Sequence, residues 1–206
     1  MILDALRART AAAHARAERA MNITARLARV EDYAALLGRL FGYYQPVEAA
    51  LARAGDFHPA GLDLRARRKC ELLAADLSAL GHSSPDELPR CAWVPAPTSA
   101  EEVLGTLYVL EGATLGGKVV RRLVADRLGL TATTGCAFFT GYGDRVGVMW
   151  QEFCAVLRRD ADSLPPPAGE RLLTAAADTF DTLTGWLEAD AGPCPAGVSS
   201  DVHPVG

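Results

Sequence analysis

The chain has 206 residues, half of them apolar, which suits one compact domain with a sizeable core. Its formal net charge of −4, without a basic tail or a long block of like charge, argues against nucleic acid or an anionic membrane as a partner. The longest mainly apolar run, residues 103–110, is far short of the roughly 20 residues that span a bilayer, and Asp4 interrupts the stretch where a signal peptide would be apolar; a cytoplasmic protein is expected.

Helical periodicity dominates the chain. Leu3, Leu6, Thr10, Ala13 and Ala17 recur at three- and four-residue steps and predict a first helix over 2–20. A second is expected from Val30 through Tyr33, Leu36, Leu37, Leu40 and Tyr44 to near Gly55, with a kink at Pro46. A third is expected over 62–80, with Leu64, Cys70, Leu73 and Leu77 inside and Gly81 as its stop. Residues 81–99 carry four prolines and read as a surface connection. Ser99 followed by Glu101 and Glu102 is a helix start, and the helix it opens runs to about residue 128 before Gly129. A loop is expected over 131–143, helices over 144–160 and 169–191, and a flexible tail over 192–206. The sum is an all-α, single-domain helical bundle of six to seven helices over 1–191, with no strand.

The helix after Ser99 holds three glycines close together, Gly112, Gly116 and Gly117. Each costs about 0.8–1 kcal/mol in a helix interior relative to alanine, so a reason to keep them is required. Gly112 and Gly116 share one face, and Gly105 lies two turns earlier on it, giving a smooth strip. Three readings are open. The segment from Gly112 to Val119, with Gly117-Lys118 inside it, nearly spells a phosphate-binding loop, but Val119 stands where a metal-binding hydroxyl belongs and no alternation of strand and helix surrounds it. Close helix packing is the second reading, and a face for a flat cofactor is the third.

Five scattered cysteines with no C-x-x-C pair fit reduced thiols rather than a disulfide or zinc framework. Of four histidines, His58, His82 and His203 lie beside Pro, Gly or Ser in expected loops or the tail. His14 is different: it sits within the first helix, on the face of Leu3, Leu6 and Thr10, with Glu18 one turn on. It reads either as a core histidine or as an axial heme ligand whose other N–H is held by an acceptor such as Glu18.

Three segments together resemble a known family. Leu6-Arg7-x-x-Thr10-x-x-x-His14-x-x-x-Glu18 resembles the proximal helix of the heme oxygenases, and Leu107-Tyr108-Val109-Leu110-Glu111-Gly112-x-Thr114-Leu115-Gly116-Gly117 resembles their distal helix. Phe138-Phe139-x-Gly141-Tyr142-Gly143 and Met149-Trp150-x-x-Phe153 are similar to the closing region of the bacterial members associated with bacteriophytochromes. The resemblance implies an enzyme that cleaves heme b, its substrate and cofactor, to biliverdin, CO and Fe2+ with O2. Electrons would come from a redox partner protein such as ferredoxin or a flavoprotein reductase, and a bacteriophytochrome is a candidate acceptor of the product. It implies that His14 is the metal ligand, oriented by Glu18, and that Arg7 meets a propionate. Gly112, Gly116 and Gly117 would let the distal backbone approach the ring, with Tyr108 and Tyr142 as further heme contacts. Two departures are visible. Met149 and Phe153 stand where relatives place cationic propionate anchors, leaving Lys118, Arg121, Arg122 or Tyr142 to compensate. Ala113 replaces an aspartate that orders waters for proton delivery, leaving Glu111 or Thr114 to support that network. The second departure keeps a non-catalytic heme-binding or heme-trafficking protein as the alternative.

Overall fold

The computed structural model describes residues 2–82, 84–161 and 164–189. Among these residues the fold is wholly helical, with six α-helices of ten or more residues, two single α-helical turns and four short 3-10 turns. In order the α-helices are α1 (Ile2–Met21), α2 (Ile23–Arg26), α3 (Val30–Arg53), α4 (Cys70–Ala79), α5 (Ala100–Leu128), α6 (Ala137–Thr140), α7 (Val146–Ala161) and α8 (Pro166–Glu188). The expected tail over 192–206 lies outside the described residues.

Helix α8 is the keel. Its two most extensive contacts are with α5 and with α1, which make few contacts with each other. Two helices carried side by side on a third leave a wedge between them. In α1 the buried stripe is Leu3, Leu6, Thr10, Ala13 and Ala17. Leu172, Ala176 and Thr179 of α8 are fully buried. α3 is fixed to the same keel by the Tyr43 hydroxyl, which donates to the Thr179 carbonyl at 2.8 Å, and by the Trp186 indole, which donates to the Arg39 carbonyl at 2.7 Å.

Pro46 does not break α3. Proline removes the N–H that would bond the carbonyl four residues back, here that of Gly42, and the Cys91 N–H takes that carbonyl instead at 2.9 Å. The loop comes so close that a β-carbon on Gly42 would lie 2.3 Å from the Pro89 carbonyl oxygen.

Three expectations are corrected. The third long helix starts at Cys70, not near residue 62. Asp63 captures the Arg65 and Ala66 N–H groups, a 3-10 turn follows at Arg65–Arg67, and Arg68 is extended. The cap of α4 comes from another helix: the Glu48 carboxylate accepts from the Lys69 N–H and, at 3.1 Å, from the Cys70 N–H. The expected loop over 131–143 contains α6, whose first N–H groups, Ala137 and Phe138, donate to the buried Asp76 carboxylate at 2.6 and 2.8 Å. α8 begins at Pro166 rather than residue 169, since proline suits a first helical turn where N–H groups lack partners.

α5 opens as expected on Ser99, which accepts from the Glu102 N–H at 3.4 Å, and closes at Gly129 with φ of 68°. By length and composition it could cross a membrane, yet half of its most apolar stretch is buried within this fold. That is the pattern of a core helix.

Candidate functional site

The glycines of α5 divide into two kinds. A β-carbon on Gly105 would meet the Leu172 carbonyl oxygen at 2.3 Å and the Ala175 β-carbon at 2.9 Å; one on Gly117 would meet the Phe139 carbonyl oxygen at 2.5 Å. These two glycines let α8 and α6 approach, so the packing reading holds for them, and Gly117, expected against a cofactor, is committed to α6. At Gly112 the nearest atoms are the Trp150 ring edge at 3.9 Å, and at Gly116 there is nothing within 4 Å. No neighbour explains the missing side chains there.

Gly112, Leu115, Gly116 and Val119 follow the three- and four-residue steps of one helix face. Leu115 is 45% and Val119 65% exposed. The strip is therefore apolar, bare in its middle and open, which suits a flat apolar ligand. The phosphate-loop reading fails on this geometry. The whole segment is interior helix, so its N–H groups bond within α5 and cannot wrap a phosphate. Lys118, Arg121 and Arg122 are exposed and line a surface groove with Thr140.

Across the wedge, His14 corrects the expectation that it shares the face of Leu3, Leu6 and Thr10. That stripe continues through Ala13 and Ala17, while the His14 side chain is 55% exposed. It is not a core histidine. The ring meets Phe180 of α8 edge-on, with centroids 5.4 Å apart. Its Nδ1 faces Glu18 Oε2 at 3.8 Å, beyond hydrogen-bond range, so Glu18 biases the ring by charge. Nε2 is left as the nitrogen for a ligand.

Tyr108 is half-buried on α5; burial raises its pKa, and Thr10 and the Arg7 charge of α1 counter this. Arg7 is exposed and reaches Asp4 at 3.4 Å.

The remaining candidates leave the open strip. Glu111, expected to support a water network, is 1% exposed, and Arg67 donates to its carboxylate. Lys69 Nζ is 3.5 Å away, and the Tyr142 hydroxyl donates to the carboxylate at 2.6 Å. Tyr142, expected at a ring or a propionate, belongs to this buried cluster instead, with the Lys69 ammonium 4.0 Å above its ring. Burial depresses the Lys69 pKa and raises that of Tyr142. Thr114 donates to the Glu111 carbonyl at 2.6 Å, and two positions along the helix turn it well away from Gly112. Met149 and Phe153 are buried apolar residues, so α7 offers no cation at either position. Arg67 and Lys69 had no sequence signal of a role, because the carboxylate that they meet, Glu111, lies more than 40 residues away.

An exposed imidazole and the Arg7 guanidinium on α1, and a bare apolar strip on α5, two helices that both pack on α8, fit a flat apolar ring that bears iron and carboxylates. The comparisons agree. A family model described as heme oxygenase matches residues 1–189. A heme oxygenase of Xanthomonas campestris pv. campestris (strain 8004) is 37% identical over 128 residues, covering 62% of this chain and 72% of that protein. The fold is similar to that of the NO- and CO-bound heme oxygenase from Neisseria meningitidis, with a TM-score of 0.72 and 21% identity over 96% of this chain and 98% of that one. It is similar also to heme oxygenase 2 from Chlamydomonas reinhardtii, solved without heme, with a TM-score of 0.72 and 16% identity over 95% of this chain and 99% of that one.

Proposed function

The chain belongs to the heme oxygenase family of heme-degrading oxidoreductases, and from that premise we propose that it converts heme b and O2 to biliverdin, CO and Fe2+ in the wedge between α1 and α5. The observation that carries this reading is the pairing of an exposed His14 imidazole on α1 with glycines on α5 that no protein atom fills. Bound heme supplies the iron that activates oxygen and the ring that is oxidised; the protein supplies position and electrostatics.

In this reading neutral His14 offers Nε2 to the iron, and the Glu18 charge orients the ring and strengthens it as a donor. Gly112 and Gly116 let the α5 backbone approach the ring while leaving room for oxygen, and that backbone sets which edge is accessible. Leu115 and Val119 keep the strip apolar. Arg7 receives a propionate, since a guanidinium is suited to a carboxylate. Glu111 and Tyr142 act behind α5, anchoring it through Arg67 and Lys69. Ala113 carries no titratable group, so protons reach the strip through solvent water.

Electrons come from an external donor, ferredoxin or a flavoprotein reductase, in the cytoplasm. The resemblance of the segments at Phe138 and Met149 to members associated with bacteriophytochromes supports a bacteriophytochrome as acceptor of the product. The test is a heme titration followed by turnover with ascorbate or a ferredoxin system. Loss of the Soret band with growth of a biliverdin band is expected. Bleaching without biliverdin, or a persistent Soret band, would reduce the protein to a heme carrier.

A further inference from the structure

Trp150 is the side chain that borders the bare strip at Gly112, with its Cη2 and Cζ3 atoms each 3.9 Å from a β-carbon built there. Its neighbours on α7, Met149 and Phe153, point into the core, and Trp150 is only part-buried. The indole is held from two sides, by Phe153 with ring centroids 5.6 Å apart and by Tyr108 at 6.0 Å. A flat ring needs contacts of about 3.5–4 Å on both faces, so a single gap of that size between indole and helix does not admit one. A macrocycle lying along the strip must stop at the indole or displace it, and displacement would break packing on the fully buried Phe153.

We propose that Trp150 is the end wall of the cleft and a specificity-determining residue: its bulk sets how far the macrocycle slides past Gly112, and so which meso carbon is cleaved. The proposal rests on the reading of the wedge as the heme site.

The test uses the full chain and its Trp150→Phe and Trp150→Ala variants loaded with ferric heme. Three quantities are read: heme affinity, the heme-methyl proton shifts of the cyanide complex, and the biliverdin isomer ratio. Trp150→Ala should shift the methyl pattern and change the isomer ratio by about tenfold, the discrimination typical of a wall that is lost from an apolar pocket. Trp150→Phe should fall between. Should Trp150→Ala fail to fold, as judged by its helical circular dichroism, Trp150→Phe decides. Methyl shifts and isomer ratios unchanged in every folded variant would overturn the proposal. Failure of the parent chain to take up heme would instead overturn the functional reading on which it rests.

Discussion

Gly105 and Leu172 are packed so closely that a single added β-carbon would sit 2.3 Å from the leucine carbonyl oxygen. Gly116, three turns along the same helix, would gain a β-carbon in open space. The two glycines should therefore respond oppositely to alanine. Gly105→Ala is expected to destabilise the ligand-free protein by about 1–3 kcal/mol through overpacking. Gly116→Ala should stabilise it by about 0.8–1 kcal/mol through helix propensity, while weakening heme uptake. Urea unfolding and a Soret titration on each variant check both halves. Destabilisation by Gly116→Ala would mark the strip as a packing surface.

The Glu111 carboxylate is buried among Arg67, Lys69 and Tyr142. Glu111→Gln should cost about 3–5 kcal/mol, because it leaves buried cations without their counter-charge. Replacing Glu111 and Arg67 together by Leu and Met should cost less than the single change. A double-mutant cycle in urea measures the coupling.

Buried phenols and a thiol predict a decline in stability at alkaline pH. Burial pushes the Cys136 thiol up to about 11, from an ordinary 9.0, and raises Tyr33, Tyr43, Tyr44 and Tyr142 as well. In that range the folded state holds more protons than the unfolded chain, so stability is full below the ordinary values and falls as pH rises. Urea midpoints should decline from about pH 9 to pH 11, and Cys136→Ala should shallow the decline. A flat midpoint to pH 11 would contradict these shifts.

Arg7 is exposed, and its pair with Asp4 spans 3.4 Å. Exposed pairs are worth about 0.2–1 kcal/mol, so Arg7→Ala should leave ligand-free stability within about 0.5 kcal/mol. Heme affinity should fall about two- to fivefold at low salt, and the difference should shrink as salt screens the contact. A titration at two ionic strengths tests this.

Much of the fold was legible where its causes were local. Ser99 with its following acids, Gly129, and the Leu3–Leu6–Thr10–Ala13–Ala17 stripe each signal a helix through neighbours three or four residues away, and the structure agrees. The start of α4 and the existence of α6 were not legible, because their caps, Glu48 and Asp76, arrive from other helices. The glycine strip was legible as an anomaly but not as two kinds of glycine, since only the packing of α6 and α8 separates Gly105 and Gly117 from Gly112 and Gly116. The role of Glu111 depended on Arg67, 44 residues away, and spacing along one helix could not reveal it.

Ligation of heme iron by His14 is tested most directly by the electron paramagnetic resonance and optical spectra of the ferric heme complex in the parent chain and in His14→Ala. A histidine-ligated spectrum is expected in the parent, its loss in His14→Ala with a helical fold still intact, and its return on addition of free imidazole. An unchanged histidine-ligated spectrum in His14→Ala would contradict that ligation.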